Sequence, residues 1–266
     1  METRRGALRD LIQRIGALNA VLFVAARALE RVTGGRAQFF KYYFMAQPVP
    51  REANPSTRAT GIVVEEVREG DSRLEQFERP AAEIARRFAT SSRCFAAWQG
   101  ATLTGFLWFT EDRYDEDEVR CTFRVNPADR AVWDLDVHVM PRFRLGRTFS
   151  LLWESAFAAM RARGTRWTIS RVSAFKAESI RAHQRLGAKR TGWAVFLLFG
   201  SFRFMLTSLG QLKFGRFEHG PYPVINARAP DDSANDVENA DEPIPAVENG
   251  LVPRGASNDG GRRLYP

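Results

Sequence analysis

At 266 residues the chain is long enough for one sizeable domain plus extensions. Its net charge of +8 is unevenly spread: from Arg228 onward eight acidic and four basic residues give −4, so the remainder carries +12. That surplus favours an anionic partner, whether a phosphate-bearing cofactor, a membrane surface or nucleic acid, although codon bias toward Arg would produce the same skew. Cys94 and Cys121 have neither CxxC nor His-rich spacing, which argues against a disulfide framework and a zinc site.

The first element is helical. Leu8, Leu11, Ile12, Ile15, Leu18, Leu22, Ala25, Ala26 and Leu29 recur at helical spacing, with Arg9, Arg14, Arg27 and Arg31 largely outside the apolar face. This predicts one amphipathic helix over 8–32, ended by Gly34–Gly35. The unbroken apolar run from Ala17 to Ala26, Asn19 apart, is too short to span a bilayer. Val24 and Ala26 after a basic start resemble a signal cleavage site, but the helical pattern continues to Val32, which argues against secretion. "QFFKYYFMAQPVP" (38–50) then leads into a Pro-rich linker ending near Thr57. Residues 1–57 thus read as an amphipathic helix and linker.

Residues 58–210 read as one mixed domain. "GIVVEEV" is a strand, and "SRLEQFERPAAEIARRFAT" is a helix broken at Pro80. "RCFAAWQG" and "TLTGFLWFTED" form a hairpin about Gly100, followed by strands "EVRCTFRV" and "AVWDLDVHVM". "GRTFSLLWESAFAAMRARG" is a helix, "RWTISRVS" a strand and "KAESIRAHQRLG" a helix. "GWAVFLLFG" and "FRFML" close the domain as an apolar hairpin turning at Gly200–Ser201. Residues 211–266 form an extension and an acidic tail, rich in Asp, Glu, Pro, Asn and Gly, which composition predicts to be disordered.

Two motifs resemble the GNAT N-acetyltransferase superfamily. The first is "VMPRFRLGRTFSLL": Val139, Pro141, Phe143 and Arg144 fit a strand ending in Val-x-Pro, an aromatic and then Arg-Gly-x-Gly-x-Gly before a helix. Here Leu145, Arg147 and Phe149 replace the three glycines, and Gly146 is displaced by one. The second is "KAESIRAHQRLGA", where Lys176 stands for the family's Asn, Ser179 for Ala, His183 for Tyr and Gly187–Ala188 for Gly-Phe. The resemblance covers roughly residues 58–208. It implies an α/β fold of the α+β kind: a mixed, mostly antiparallel twisted sheet flanked by helices. It also implies that strands near 132–140 and 166–172 diverge.

The resemblance further implies acyl transfer from acetyl-CoA, or another acyl-CoA co-substrate, directly to an amine without a metal. Loop amides and side chains would meet the CoA pyrophosphate. The cofactor-binding candidates are Val137, Val139, Arg144, Leu145, Gly146, Arg147, Thr148 and Lys176, with Arg142 adding charge. His183 takes the place of the Tyr that protonates the departing thiolate. In "WDLDVHVM", Asp134, Asp136 and His138 would share one face of a regular strand, and a bulge there would change this. Asp136 and His138 are the candidates for the base side, whereas an ion pair with a nearby Arg is the structural reading of Asp134.

The implied protein is a bacterial, cytoplasmic N-acyltransferase. One alternative is a peripheral enzyme on the inner face of the membrane, held by the N-terminal helix and joining a long acyl chain to a lipid amine. Another is a non-catalytic GNAT-like binding module. Nucleic-acid binding ranks last, because no zinc finger, helix-turn-helix or RNP pattern accompanies the arginines.

Overall fold

The computed structural model describes residues 2–53, 61–90, 92–111, 113–116, 118–216 and 222–230. The described residues up to Ala229 form one compact unit. The tail expected to be disordered lies, from Asp231 on, outside the described residues.

The chain opens with two helices rather than one. α1 (Glu2–Ile15) and α2 (Ala17–Val32) meet at Gly16 with a bend of 119°. Gly16 has φ +83° and ψ 156°, a region essentially reserved for glycine that costs a side-chain-bearing residue about 1–3 kcal/mol. Helical periodicity carries across it in sequence, but the backbone turns there. No single helix among the described residues is long and apolar enough to cross a membrane.

Nine strands make the main sheet: β1 (Ala37–Pro48), β2 (Ile62–Val67), β3 (Arg93–Gln99), β4 (Thr102–Thr110), β7 (Ala131–Val139), β8 (Trp167–Ser173), β9 (Lys189–Phe199), β10 (Phe202–Thr207) and β11 (Leu212–Arg216). Their spatial order is β11-β10-β9-β1-β8-β7-β4-β3-β2. Every neighbouring pair is antiparallel except β7–β8. A three-stranded sheet, β12 (Val224–Arg228), β6 (Cys121–Asn126) and β5 (Arg113–Glu116), lies separate from it in pairing.

The segment expected to lead into a linker is strand β1, between β8 and β9 near the middle of the sheet. It is apolar on both faces because both are covered, so it lacks the polar alternation that advertises a half-buried strand. The 58–210 body therefore receives a strand from the N-terminal segment, and β11 and β12 extend the folded part beyond 210. The break at Pro80 is as expected: a short 3-10 turn over Ser72–Gln76 precedes α3 (Ala81–Ala89), with Pro80 at its N-cap.

Two layers cover the main sheet. α4 (Thr148–Ala162) packs Leu152, Trp153 and Met160 on Phe95, Leu107, Phe109 and Val132. α5 (Ala177–Arg185) and α2 lie on this same face, over β1 and β8. Asn19 fixes α2 there: its amide donates to the Tyr43 hydroxyl at 2.8 Å and its carbonyl accepts from the buried Lys41 ammonium at 2.9 Å. The opposite face is covered by α3, over Phe106 and Trp108, and by the three-stranded sheet, over Tyr42, Phe44 and Trp133. Cys94 and Cys121 are buried free thiols, each among apolar neighbours.

Candidate active site

The site is built where β7 and β8 part. The two strands pair only from Ala131–Trp167 to Asp134–Ser170. Beyond that point β7 runs on through Leu135–Val139 and β8 through Arg171–Ser173 without pairing to each other. The facing backbone edges are left open, so an extended ligand can hydrogen-bond between them.

A β-bulge sits at this fork. On β4 the neighbours Trp108 and Phe109 face Asp136 and Asp134, so Leu135 is the extra residue of β7. The bulge overturns the expectation that Asp134, Asp136 and His138 share a face. Asp134 is in register with Phe109, on the α4 side; Asp136 is in register with Trp108, on the α3 side, as is His138 with Phe106.

The two aspartates accordingly differ. Asp136 accepts from Arg79 Nε and Nη2 at 2.8 and 2.9 Å and from Arg87 Nη1 at 2.9 Å. Burial opposes its charge, but Arg87 and Arg79 outweigh that and hold its carboxyl below the usual range. The arginine pairing expected of Asp134 belongs instead to Asp136. Asp134 is buried, its Oδ1 has no partner, and burial followed by repulsion from Asp136 pushes its pKa well above the usual range. Burial thus favours its protonated form at the last paired position of the fork.

His138 stacks on Phe106 at 5.3 Å, with Nε2 3.4 Å from a Glu78 oxygen but without hydrogen-bond geometry. Burial, and then Arg79, lowers its pKa, so it is neutral at pH 7. His183 lies on the other face of the sheet, on α5. Its Nδ1 is 3.4 Å from Gln47 Oε1 and its ring meets Trp153 edge-on at 6.3 Å. Burial lowers its pKa to about 4. The structure thus brings Asp136 and His138 together and sets His183 across the sheet from them.

The loop from β7 to α4 is a 3-10 turn, Pro141–Phe143, followed by tight turns in which Gly146 N–H donates to Phe143 O. Leu145 is fully exposed at its tip and does not plug the fork. α4 starts at Thr148 with no side-chain cap and no acidic residue in its first turn. Its first amides therefore form a positive end suited to an anion. Arg142 stacks on Phe143, Arg144 Nε reaches Val139 O at 3.3 Å, and Arg147 lies 3.9 Å from Glu154. Gly105 lets this end approach the sheet: a Cβ there would stand 2.6 Å from His138 O and 2.9 Å from Thr148 Cγ2. Val137 and Val139 flank the fork on the α4 side.

On the far side lies a charged cluster that sequence reading missed. Tyr42 donates to Glu118 Oε2 at 2.5 Å, and Arg171 lies 2.8 Å from Glu116 and 3.8 Å from Glu118. Arg171 is the first β8 residue past the last pair with β7. Burial opposes its charge, but Tyr42, Glu116, Tyr114 and Glu118 keep it protonated. Burial raises the Glu118 pKa against the opposing pull of Tyr42 and Arg171. Lys176, at the α5 N-cap, has its pKa lowered by partial desolvation despite Glu118. It belongs electrostatically to this cluster rather than to the arginines of the 142–147 loop. The only sequence signal was the acidic run "YDEDE" (114–118), whose partners are distant in the chain.

No family model and no curated protein sequence matches the chain. Similar solved structures include a conserved protein of unknown function from Staphylococcus epidermidis, at 12% identity, 65% of this chain, 66% of that one and TM-score 0.44. They also include a GNAT-family protein from Novosphingobium aromaticivorans, at 18% identity, 59% and 63% coverage and TM-score 0.40. A tandem GNAT protein from the clavulanic acid biosynthesis pathway aligns at 15% identity, 64% and 57% coverage and TM-score 0.44. The chain thus spans less than two thirds of the length of each of these structures. The chain itself has a mixed α/β fold: a largely antiparallel sheet flanked by helices, with a bulged β7 and a fork between β7 and β8.

Proposed function

We propose that this protein is an N-acyltransferase that moves an acetyl or longer acyl group from an acyl-CoA thioester to an amine by direct transfer. The observation that carries the reading is the fork: two parallel strands that part at Asp134–Ser170 beside an uncapped helix start. In this reading the pantetheine arm lies between the strands. The pyrophosphate meets the first amides of α4, with Arg144 and Arg147 adding charge. Val137 and Val139 line the arm.

The amine attacks the thioester carbonyl carbon, nitrogen loses a proton to a base, the C–S bond breaks and the thiolate takes up a proton. Asp136 is a poor base here, because two arginines occupy its oxygens and hold its pKa down. Glu118 is the better one, with a raised pKa and a partly exposed carboxyl, and His138 offers a neutral nitrogen. His183, on the α4 side, is neutral at working pH and offers an N–H hydrogen bond to the departing thiolate, which takes its proton from solvent.

Equilibrium binding of acetyl-CoA and longer acyl-CoA species tests the reading, followed by an acceptor screen read as free thiol release. Binding in the micromolar range with thiol release that depends on an added amine is the expected result. No binding at low salt would refute it. In the pH–rate profile, Glu118→Gln should abolish the acidic limb that the wild type shows, while His138→Gln leaves it in place.

A further inference from the structure

We infer that the face of β9, β10 and β11, together with the outward stripe of α2, is a docking surface for an anionic lipid bilayer. The inference does not depend on the acyltransferase reading. Cross-strand register places three rows of side chains on one face: Phe199–Phe202–Arg216, Leu197–Phe204–Phe214 and Val195–Leu206–Leu212. The rows continue onto β1 through Ala37, Phe39 and Lys41, and there α2 covers them, its Asn19 meeting Lys41. Beyond β1 no element among the described residues covers them. Phe214 is 72% exposed and Leu212 62%, while Phe196, Leu198 and Met205 on the opposite face are buried. A sheet face this apolar and this open belongs against something.

α2 continues the surface on the same side of the sheet. Its buried side anchors it through Asn19 and Ala20. Its exposed positions include an apolar stripe, Leu18, Val21, Val24, Ala25, Ala28 and Val32, flanked by the exposed Arg27 and Arg31. A helix that buries one face in protein and leaves a second apolar stripe in solvent is not explained by packing within the chain.

Charge selects the occupant. Residues 1–36 and 189–216 hold twelve basic and three acidic side chains, a net +9, and 189–216 contains no acidic residue. The whole chain is +8, so these two segments account for its entire surplus. Arg216 lies over the Phe202 ring at 5.1 Å, at the edge of the apolar rows. A cavity of about 250 Å³ opens where α1 and α2 meet α5, lined by Arg14, Arg181 and Arg190, with no acidic residue in its lining. Its guanidiniums can receive a phosphate headgroup. An apolar surface rimmed by guanidinium and ammonium groups is the composition of an interfacial lipid contact: rings enter the acyl boundary and cations reach the phosphates. A second copy meeting this face about a two-fold axis would bring the same positive charge against it.

Flotation of the full chain with vesicles of phosphatidylcholine alone, or with phosphatidylglycerol added, tests this without any acyl donor. The expected result is binding to the anionic vesicles that weakens with salt, and little binding to the neutral ones. Leu212→Ser with Phe214→Ser should weaken partitioning by on the order of tenfold or more. Both side chains are already in solvent, so the fold has little to lose. Arg190→Glu with Arg216→Glu, which leaves the apolar side chains intact, should also weaken it. Val63→Ser, equally exposed at the opposite edge of the sheet, should not. Failure of the full chain to float with anionic vesicles at low salt would overturn the inference. So would unchanged binding in both double variants, or a lipid-independent dimer that the serine variant dissociates.

Discussion

His183 gives the sharpest quantitative test of the site. Its pKa falls to about 4 because burial disfavours the imidazolium and no carboxylate compensates. In the unfolded chain it returns to about 6.5. Between those values the unfolded state binds more protons, so stability rises with pH through that window and is lost as pH falls toward 4. From pH 7.5 to 5.5 the loss due to His183 alone is about 1.3 kcal/mol, since the unfolded histidine gains about 1.4 kcal/mol of protonation and the folded one almost none. That window lies above most carboxylate titrations. The assay is urea unfolding of wild type and His183→Gln at both pH values. The wild type should lose about 1.3 kcal/mol more than the variant. Equal pH dependence in the two would mean that His183 is solvated when folded, and its placement against Trp153 and Gln47 would then be wrong.

Three further outcomes follow from the fork and its walls. Gly105→Ala should destabilise the fold by roughly 1–3 kcal/mol, because the new Cβ meets His138 O and Thr148 Cγ2 in a packed site; thermal unfolding checks it, and an unchanged midpoint would refute the close approach. Asp136→Ala should cost about 3–5 kcal/mol by leaving Arg79 and Arg87 without their shared carboxylate; a loss below 1 kcal/mol by urea titration would show that the pair is solvated. Arg144→Ala with Arg147→Ala should weaken CoA binding and flatten its salt dependence in calorimetry. Unchanged affinity at low salt would make both arginines bystanders.

Much of the local structure is legible in the chain. Alternation and Gly-marked turns define the hairpins at Gly100 and Gly200, and Pro80 marks a helix start, because each is set by neighbours in sequence. The two motifs place a helix after each of the strands that later part. What sequence could not decide are the long-range facts. β1 reads as a linker approach because its burial on both faces depends on β8 and β9, which lie more than a hundred residues away. The alternation of Asp134, Asp136 and His138 predicts one shared face, and only the pairing with β4 shows that Leu135 bulges and turns Asp134 to the other. Glu118 and Arg171 become neighbours because the three-stranded sheet folds over β8. Residue type fixes which groups can carry charge; tertiary structure decides which charges meet, which are buried, and hence which can hold or release a proton.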